Sequence, residues 1–227
     1  MSIQSIIDRC NSLQINRRKL VGIQYTRNEI PRVSETPTKN PWKFTITMPN
    51  SLTYIDARSI IESLDTLDRR SSEVITFNNN SNMNWIFRYQ GNVGLSQIQA
   101  MKVTSFIGDQ LILDTLPPVA STKILFEPND LIQIGTYPFP FTSTTQVLRG
   151  TGSTVTVTTH RPNIISDDVT ALTINAGAGC QFRIFCPNMP TYILLPGGSR
   201  RENGILVNNA YIEWTNDFEL YEFVGLS

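Results

Sequence analysis

The stretch Trp42-Lys43-Phe44-Thr45-Ile46-Thr47-Met48 decides the fold class. Large apolar side chains at 42, 44, 46 and 48 alternate with Lys43, Thr45 and Thr47. A period of two predicts a strand with one face for a core and the other for solvent or a neighbour. Pro49 and Asn50 end it, because proline cannot donate to a strand ladder. Upstream, Val21, Ile23 and Tyr25 alternate with Gly22, Gln24 and Thr26 in the same way.

Downstream the period changes. Ala57, Ile60, Ile61, Leu64 and Leu67 fall at helical spacing, which predicts an amphipathic helix over residues 54–68 with a single inward stripe. Thr53 and Asp56 form a variant capping box, and Arg69 and Arg70 complement the dipole at the other end. A shorter helix is expected over residues 3–13.

Beyond residue 70 the β pattern resumes. Strands are expected at 73–77 and 85–89, flanking the Asn-rich stretch 78–84 as a hairpin loop. Gly108-Asp109 predicts a two-residue turn between strands at 103–107 and 110–113. Further strands follow at 123–126, 130–134, 137–142 and 144–148, and in the Thr/Val run 153–159. The last four are 180–186, 192–195, 210–214 and 218–223, the final pair joined as a hairpin through Thr215-Asn216-Asp217. Short strands broken by frequent turn signals predict a mainly β chain, an antiparallel β-sandwich or barrel with one flanking helix. Residues 1–227 read as one unit, with a possible division into 1–78 plus 205–227 as an outer sandwich and 79–204 as an inserted barrel.

Composition supports a folded chain. Of 227 residues, 40% are apolar and 17% charged, enough to bury a core without disulfide staples. The 19 basic and 19 acidic side chains cancel, which argues against gripping nucleic acid or an anionic membrane through bulk charge. Neutrality also gives little colloidal repulsion, as suits a subunit inside an assembly. Cys10, Cys180 and Cys186 are not a disulfide framework and read as small buried hydrophobes in a reducing compartment. No run approaches the ~20 apolar residues of a membrane span. The first residues lack the charged start and long apolar core of a signal peptide, so a soluble product made in a cytoplasm is expected.

Catalytic patterns do not emerge. The single histidine, His160, precedes Arg161-Pro162 with no metal-ligand cluster in sequence around it, and reads as a strand-end residue near a turn. There is no G-x-S-x-G elbow, and the glycine pairs at 150/152 and 177/179 extend to no dinucleotide or phosphate fingerprint. Asp167-Asp168 are adjacent in a loop. Glu213 and Glu219 could face one another across the last hairpin, although such residues usually blunt a strand edge. No catalytic residue, metal or cofactor is expected.

Charge is nevertheless segregated. Residues 1–50 hold Arg9, Arg17, Arg18, Lys19, Arg27, Arg32, Lys39 and Lys43 against Asp8, Glu29 and Glu35. From Arg201 onward one basic residue stands against Glu202, Glu213, Asp217, Glu219 and Glu222. A basic arm centred on Arg17-Arg18-Lys19 would bind phosphate. The favoured alternative is contact between subunits, with Arg17, Arg18, Lys19, Arg27 and Arg32 of one copy meeting Glu213, Glu219 and Glu222 of the next. The segment 27–40 is either an arm reaching a neighbour or an ordinary surface loop.

Several blocks resemble tail proteins of tailed bacteriophages, of the tail-tube, distal-tail and baseplate-hub kind. They are Gln24-Tyr25-Thr26-Arg27-Asn28-Glu29; the run from Thr36 through Trp42 to Pro49; Asp56-Ala57-Arg58 and Leu64-Asp65-Thr66-Leu67-Asp68-Arg69; Glu127-Pro128-Asn129-Asp130 to Gly135; the run from Gly152 to Pro162; and Ile212-Glu213-Trp214 to Glu219. Such runs often read Gly-Asp where this chain has Asn129-Asp130. The resemblance implies a tube-like β-sandwich or barrel with a flanking helix. It implies a virion structural protein, assembled in the host cytoplasm as a homo-oligomeric ring, hexamer or trimer, in the tube-end, hub or baseplate region. Its partners would be other tail or baseplate proteins, with DNA only in transit along an axial channel. Two rival readings remain: a carbohydrate-binding β-sandwich using Trp85, Tyr89 or Trp214, and a cell-wall hydrolase using Glu213 and Glu219.

Overall fold

The computed structural model describes residues 3–17, 21–25, 31–35, 41–48, 53–55, 57–58, 61–62, 72–78, 84–188, 190–202 and 205–224. In chain order, helix α1 (Ile3–Arg9) precedes β1 (Ser12–Asn16), β2 (Val21–Tyr25), β3 (Pro31–Glu35), β4 (Lys43–Thr47) and β5 (Glu73–Ile75). A 3-10 turn at Asn84–Phe87 and a short helix at Leu95–Gln99 follow. Next come β6 (Lys102–Ile107), β7 (Gln110–Asp114), β8 (Ile124–Phe126), β9 (Leu131–Ile134), β10 (Phe141–Thr142), β11 (Val147–Leu148), β12 (Val155–Thr158) and β13 (Ile174–Ala176). The chain ends through β14 (Phe182–Phe185), β15 (Tyr192–Glu202), β16 (Ile205–Trp214) and β17 (Phe218–Glu222).

The alternating stretch behaves as its period requires. β4 lies inside a five-stranded sheet of order β1-β4-β17-β14-β5, paired antiparallel to β1 on one side and β17 on the other. Phe44 and Ile46 are fully buried, whereas Lys43 and Thr45 are half-buried and Thr47 is exposed. Trp42, Phe44, Phe77, Phe87 and Phe182 pack ring against ring, with centroids 4.9–6.2 Å apart. Each such buried side chain contributes about 1.5–3 kcal/mol relative to exposure. Ile3, Ile6 and Ile7 bring one face of α1 onto this core, the i, i+3, i+4 stripe of an amphipathic helix. The Gln4 amide bonds both backbone groups of Thr76, extending the end of β5 with a side chain.

Among the described residues, the buried members of a second core run from Val93 to Ala176, with Tyr89 packed against them. It lies among three small antiparallel sheets, β12-β7-β6, β10-β9-β13 and β11-β8. Its span is narrower than 79–204, because β14 returns to pair with β5 and β17 in the first sheet. The chain crosses between the cores at 88–91 and again at 177–180, and these crossings touch. A Cβ on Gly177, whose φ is +77°, would lie 2.9 Å from the Tyr89 backbone nitrogen, so this position requires glycine.

Other expectations fare differently. Among the described residues no sheet closes into a barrel. Residues 85–89 do not pair with 73–77: they form the 3-10 turn and its exit, which buries Phe87, while β5 takes β14 as partner. The strands at 210–214 and 218–223 are not a hairpin either, because β16 pairs with β15 and β17 with β4 and β14. Most of 54–68 lies outside the described residues; 54–55, 57–58 and 61–62 are helical, and Ala57 and Ile61 pack on Ile212 as the predicted stripe requires. The helix expected at 3–13 stops at Arg9, and β1 begins at Ser12. The Gly108-Asp109 turn joins β6 to β7 with φ +57° at Gly108 and no positive φ at Asp109, the type II′ geometry.

Candidate functional site

Two regions stand out: a buried joint between the two cores, which holds Glu222, and the β15–β16 hairpin, which holds Glu213.

Arg161 and Glu222 make the joint. Both side chains are fully buried, one just beyond β12 and the other at the end of β17. The pair is bidentate, with Arg161 NH1 2.5 Å from Glu222 Oε2 and NH2 2.7 Å from Oε1. Glu222 Oε2 also accepts the Trp42 backbone N–H at 3.1 Å. The Pro140 carbonyl receives Arg161 NH2 at 3.0 Å and the Trp42 indole N–H at 3.2 Å. The Arg161 guanidinium lies 5.1 Å from the Phe141 ring centroid. A planar fork thus ties β17 and Trp42 of the first core to the 140–161 region packed on the second.

Glu222, expected at a subunit contact, therefore requires correction: its carboxylate is spent inside the chain. Glu219 accepts from Lys43 Nζ at 2.8 Å and from Tyr221 Oη at 3.0 Å. The Lys43 ammonium and the Tyr221 hydroxyl hold the Glu219 carboxyl below its usual range. Glu213 is exposed on β16 opposite Ile193, in a different sheet from Glu219, so the two do not form a facing catalytic pair. Arg17 bonds Thr142 and Asn129 and stands 5.4 Å from the Trp42 ring centroid, so its contacts too are within the chain. Arg18, Lys19 and Arg27 lie outside the described residues; Arg32 is in β3, paired with Gln24. The β2–β3 hairpin accounts for 31–35 of the segment read as an arm or loop.

His160 sits beside the joint. Its Nδ1 accepts the Thr142 backbone N–H at 3.0 Å, and its ring meets Trp42 edge-on at 5.4 Å. Burial, with the Arg161 and Arg17 charges, pushes its pKa down to about 2. The imidazole is therefore neutral, with the proton on Nε2, and serves as a packed acceptor. Asp130 fixes the turn named in the resemblance: its two oxygens accept the Gln90 and Glu127 backbone N–H groups at 2.9 and 2.8 Å. Asn129 has φ +75°, the left-handed conformation that glycine takes most easily and asparagine next. An asparagine at 129 therefore suits the turn this backbone makes. All three cysteines are buried thiols outside any disulfide, and burial pushes the thiol of Cys186 up to about 11 and that of Cys180 higher still.

The second region is the β15–β16 hairpin. β15 has 11 residues and β16 has 10, and β15 pairs with no other strand among the described residues. One face packs through Ile212 on Ala57 and Ile61. The other carries Ile193, Leu195 and Tyr211, which are 51%, 40% and 39% exposed. Leu194 is 48% exposed as well. The expected strands 192–195 and 210–214 are only one end of this hairpin, because Pro196, Gly197 and Gly198 mask the continuation; the ladder absorbs them as an irregularity between Pro196 and Ser199.

No known protein family matches the sequence, and no curated protein is similar to it. No helix among the described residues is long and apolar enough to cross a membrane.

Proposed function

We propose that this protein is a structural subunit of a bacteriophage tail, of tail-tube-like type, that assembles into a homo-oligomeric ring in the tube-end, hub or baseplate region. In that role it joins other tail or baseplate proteins and leaves an axial passage for DNA, with threefold or sixfold closure. The motif resemblance supplies the biological setting. The observation that carries the assembly reading is the β15–β16 hairpin.

An isolated two-stranded hairpin is marginal in water. Among the described residues this one leans on Ala57 and Ile61 through Ile212, on the first core through Trp214, whose ring centroid is 4.9 Å from that of Phe218, and on an isolated bridge from Thr53 to Tyr211. Ile193, Leu194 and Leu195 are exposed in succession, so both faces at the open β15 edge are apolar. A long, apolar, unpaired edge is a template for another strand, and soluble proteins blunt such edges unless a partner covers them. A copy of the same chain is the economical partner, and a head-to-tail contact repeated by rotation closes a ring.

The test is the mass of the full chain in solution by light scattering, with particle shape from negative-stain microscopy. The expected result is a closed ring of three or six copies that Ile193→Asp with Leu195→Asp reduces to a folded monomer. A wild-type chain that stays monomeric at about 100 μM, a hundred times a micromolar Kd, refutes the ring.

A further inference from the structure

We propose that β15 of one copy adds to the β1 edge of the next copy's five-stranded sheet, antiparallel, with Leu13 opposite Leu195, Gln14 opposite Leu194 and Ile15 opposite Ile193. This names the acceptor strand of the ring contact and rests on the ring reading.

The two ends of that sheet differ. At the β5 end, the Ile3 N–H donates to Glu73 Oε2 at 2.7 Å, and the Gln4 amide takes up both backbone groups of Thr76, so α1 caps the strand. At the β1 end, the ladder to β4 holds one side of Ser12–Ile15. The other side of these four residues makes no hydrogen bond among the described residues. Ser12 and Gln14 are exposed, and Leu13 and Ile15 lie half-buried at the rim of the first core. β1 carries none of the devices that blunt an edge: Ser12-Leu13-Gln14-Ile15-Asn16 holds no charge and no proline, and its register with β4 has no bulge.

The β15 edge matches β1 in length and chemistry. Tyr192-Ile193-Leu194-Leu195 is uncharged and exposed. Pro196 has no N–H, so the stretch able to donate ends at Leu195. Tyr192 and Leu194 share the face of Trp214 and Ile212, which pack on this chain's own residues. Ile193 and Leu195 lie on the opposite face and are the pair left to extend a neighbour's core. The antiparallel register with Gln14 opposite Leu194 sets both of them against Leu13 and Ile15, and a slip of two residues loses one of these contacts. Two β15 edges meeting each other would bury the same side chains, but that contact is isologous and stops at a dimer. β15 on β1 joins two different surfaces, and so repeats around a ring.

The experiment uses the full chain carrying Gln14→Cys, Leu194→Cys or both. Both positions are exposed, and the native cysteines are buried. Opposed residues on paired strands stand about 4.5–5.5 Å apart, within disulfide reach. After oxidation with diamide, non-reducing gels are expected to show a cross-linked dimer when the two single variants are co-expressed. Neither single variant alone cross-links, and the double variant gives a ladder up to the full ring. Adding Ile193→Asp with Leu195→Asp removes the cross-links. In the wild-type ring the amides of 12–15 exchange hydrogen slowly, and in the Ile193→Asp, Leu195→Asp monomer about tenfold faster or more. Light scattering on the same samples separates the two failures. A monomeric wild-type chain overturns the ring and this contact together. Three results overturn the β1 contact and leave the ring standing: a ring whose co-expressed single variants give no cross-link, one in which Leu194→Cys alone cross-links, or a wild-type ring whose residues 12–15 exchange as fast as in the monomer.

Discussion

Replacing Glu222 by Gln tests whether the buried joint holds the two cores together. Glu222 faces three donors: Arg161 NH1 at 2.5 Å, Arg161 NH2 at 2.7 Å and the Trp42 N–H at 3.1 Å. A carboxamide supplies one acceptor oxygen and turns its NH2 toward a donor, while Arg161 loses its anionic partner in a site with no solvent. Breaking one side of a buried pair costs about 3–5 kcal/mol, because the remaining charge keeps its desolvation penalty. Net stabilities are about 5–15 kcal/mol, so the loss is a large fraction of the total. Urea unfolding followed by tryptophan fluorescence is the assay, since Trp42 lies in the joint; the midpoint should fall by more than about 1 M. Arg161→Met with Glu222→Leu should recover most of the loss, because neither charge then needs compensation. Lys43→Met is the control: that pair has side chains 31% and 46% exposed, and solvent screening limits it to about 1 kcal/mol or less. A Glu222→Gln protein within about 1 kcal/mol of wild type, or a double variant no better than the single one, refutes the reasoning.

Two smaller perturbations test the local accounts. His160 has its folded pKa depressed to about 2 from 6.5, so the unfolded chain binds the extra proton as pH falls through 6.5. Its contribution is complete above that value and lost on acidification, about 1 kcal/mol between pH 6 and 5; His160→Gln should flatten the slope there in urea titrations, and an unchanged slope contradicts the assignment. Gly108→Ala meets no atom within 4 Å yet forces φ +57° on an L residue, so thermal unfolding should show a loss of about 1–2 kcal/mol from strain alone, and a neutral result would mean that the turn is not type II′.

What the sequence made legible follows from how local each signal is. The alternation at 42–48 and the Gly108-Asp109 turn depend on neighbours one or two residues away, and both hold. The 73–77 and 85–89 pairing failed because a hairpin needs two strands that choose each other. Phe87 gained more by turning inward beside Phe77 and Phe182, with centroids 4.9 and 5.7 Å away, than by extending along an edge already taken by β14. For the same reason, 210–214 and 218–223 are adjacent in sequence but belong to different sheets. Phe218 pairs with Ile46, 172 positions earlier, which no window of the sequence displays. The Arg161–Glu222 joint was hidden for a different cause. One residue stands beside the histidine and the other within an acidic end, but nothing local distinguishes a carboxylate that is solvated from one buried against a guanidinium.

That joint also changes what the charge segregation means. The basic start and acidic end of the chain are neighbours in one sheet, since β4 lies directly beside β17. Lys43 finds Glu219 across that pair of strands, and Glu222 turns inward to Arg161. Two of the three acidic residues expected to meet a neighbouring subunit are therefore neutralised at home, as Arg17 is engaged with Thr142, Asn129 and Trp42. Glu219 and Glu222 already have their charges paired within the chain, so these two carboxylates are not available to a neighbouring subunit. In the proposed ring the remaining contact is Ile193, Leu194, Leu195 and the β15 edge, unpaired among the described residues, whose attraction is apolar and hydrogen-bonded and is little screened by ions. A ring built on that edge keeps its mass in high salt, whereas one built on complementary charge dissociates there.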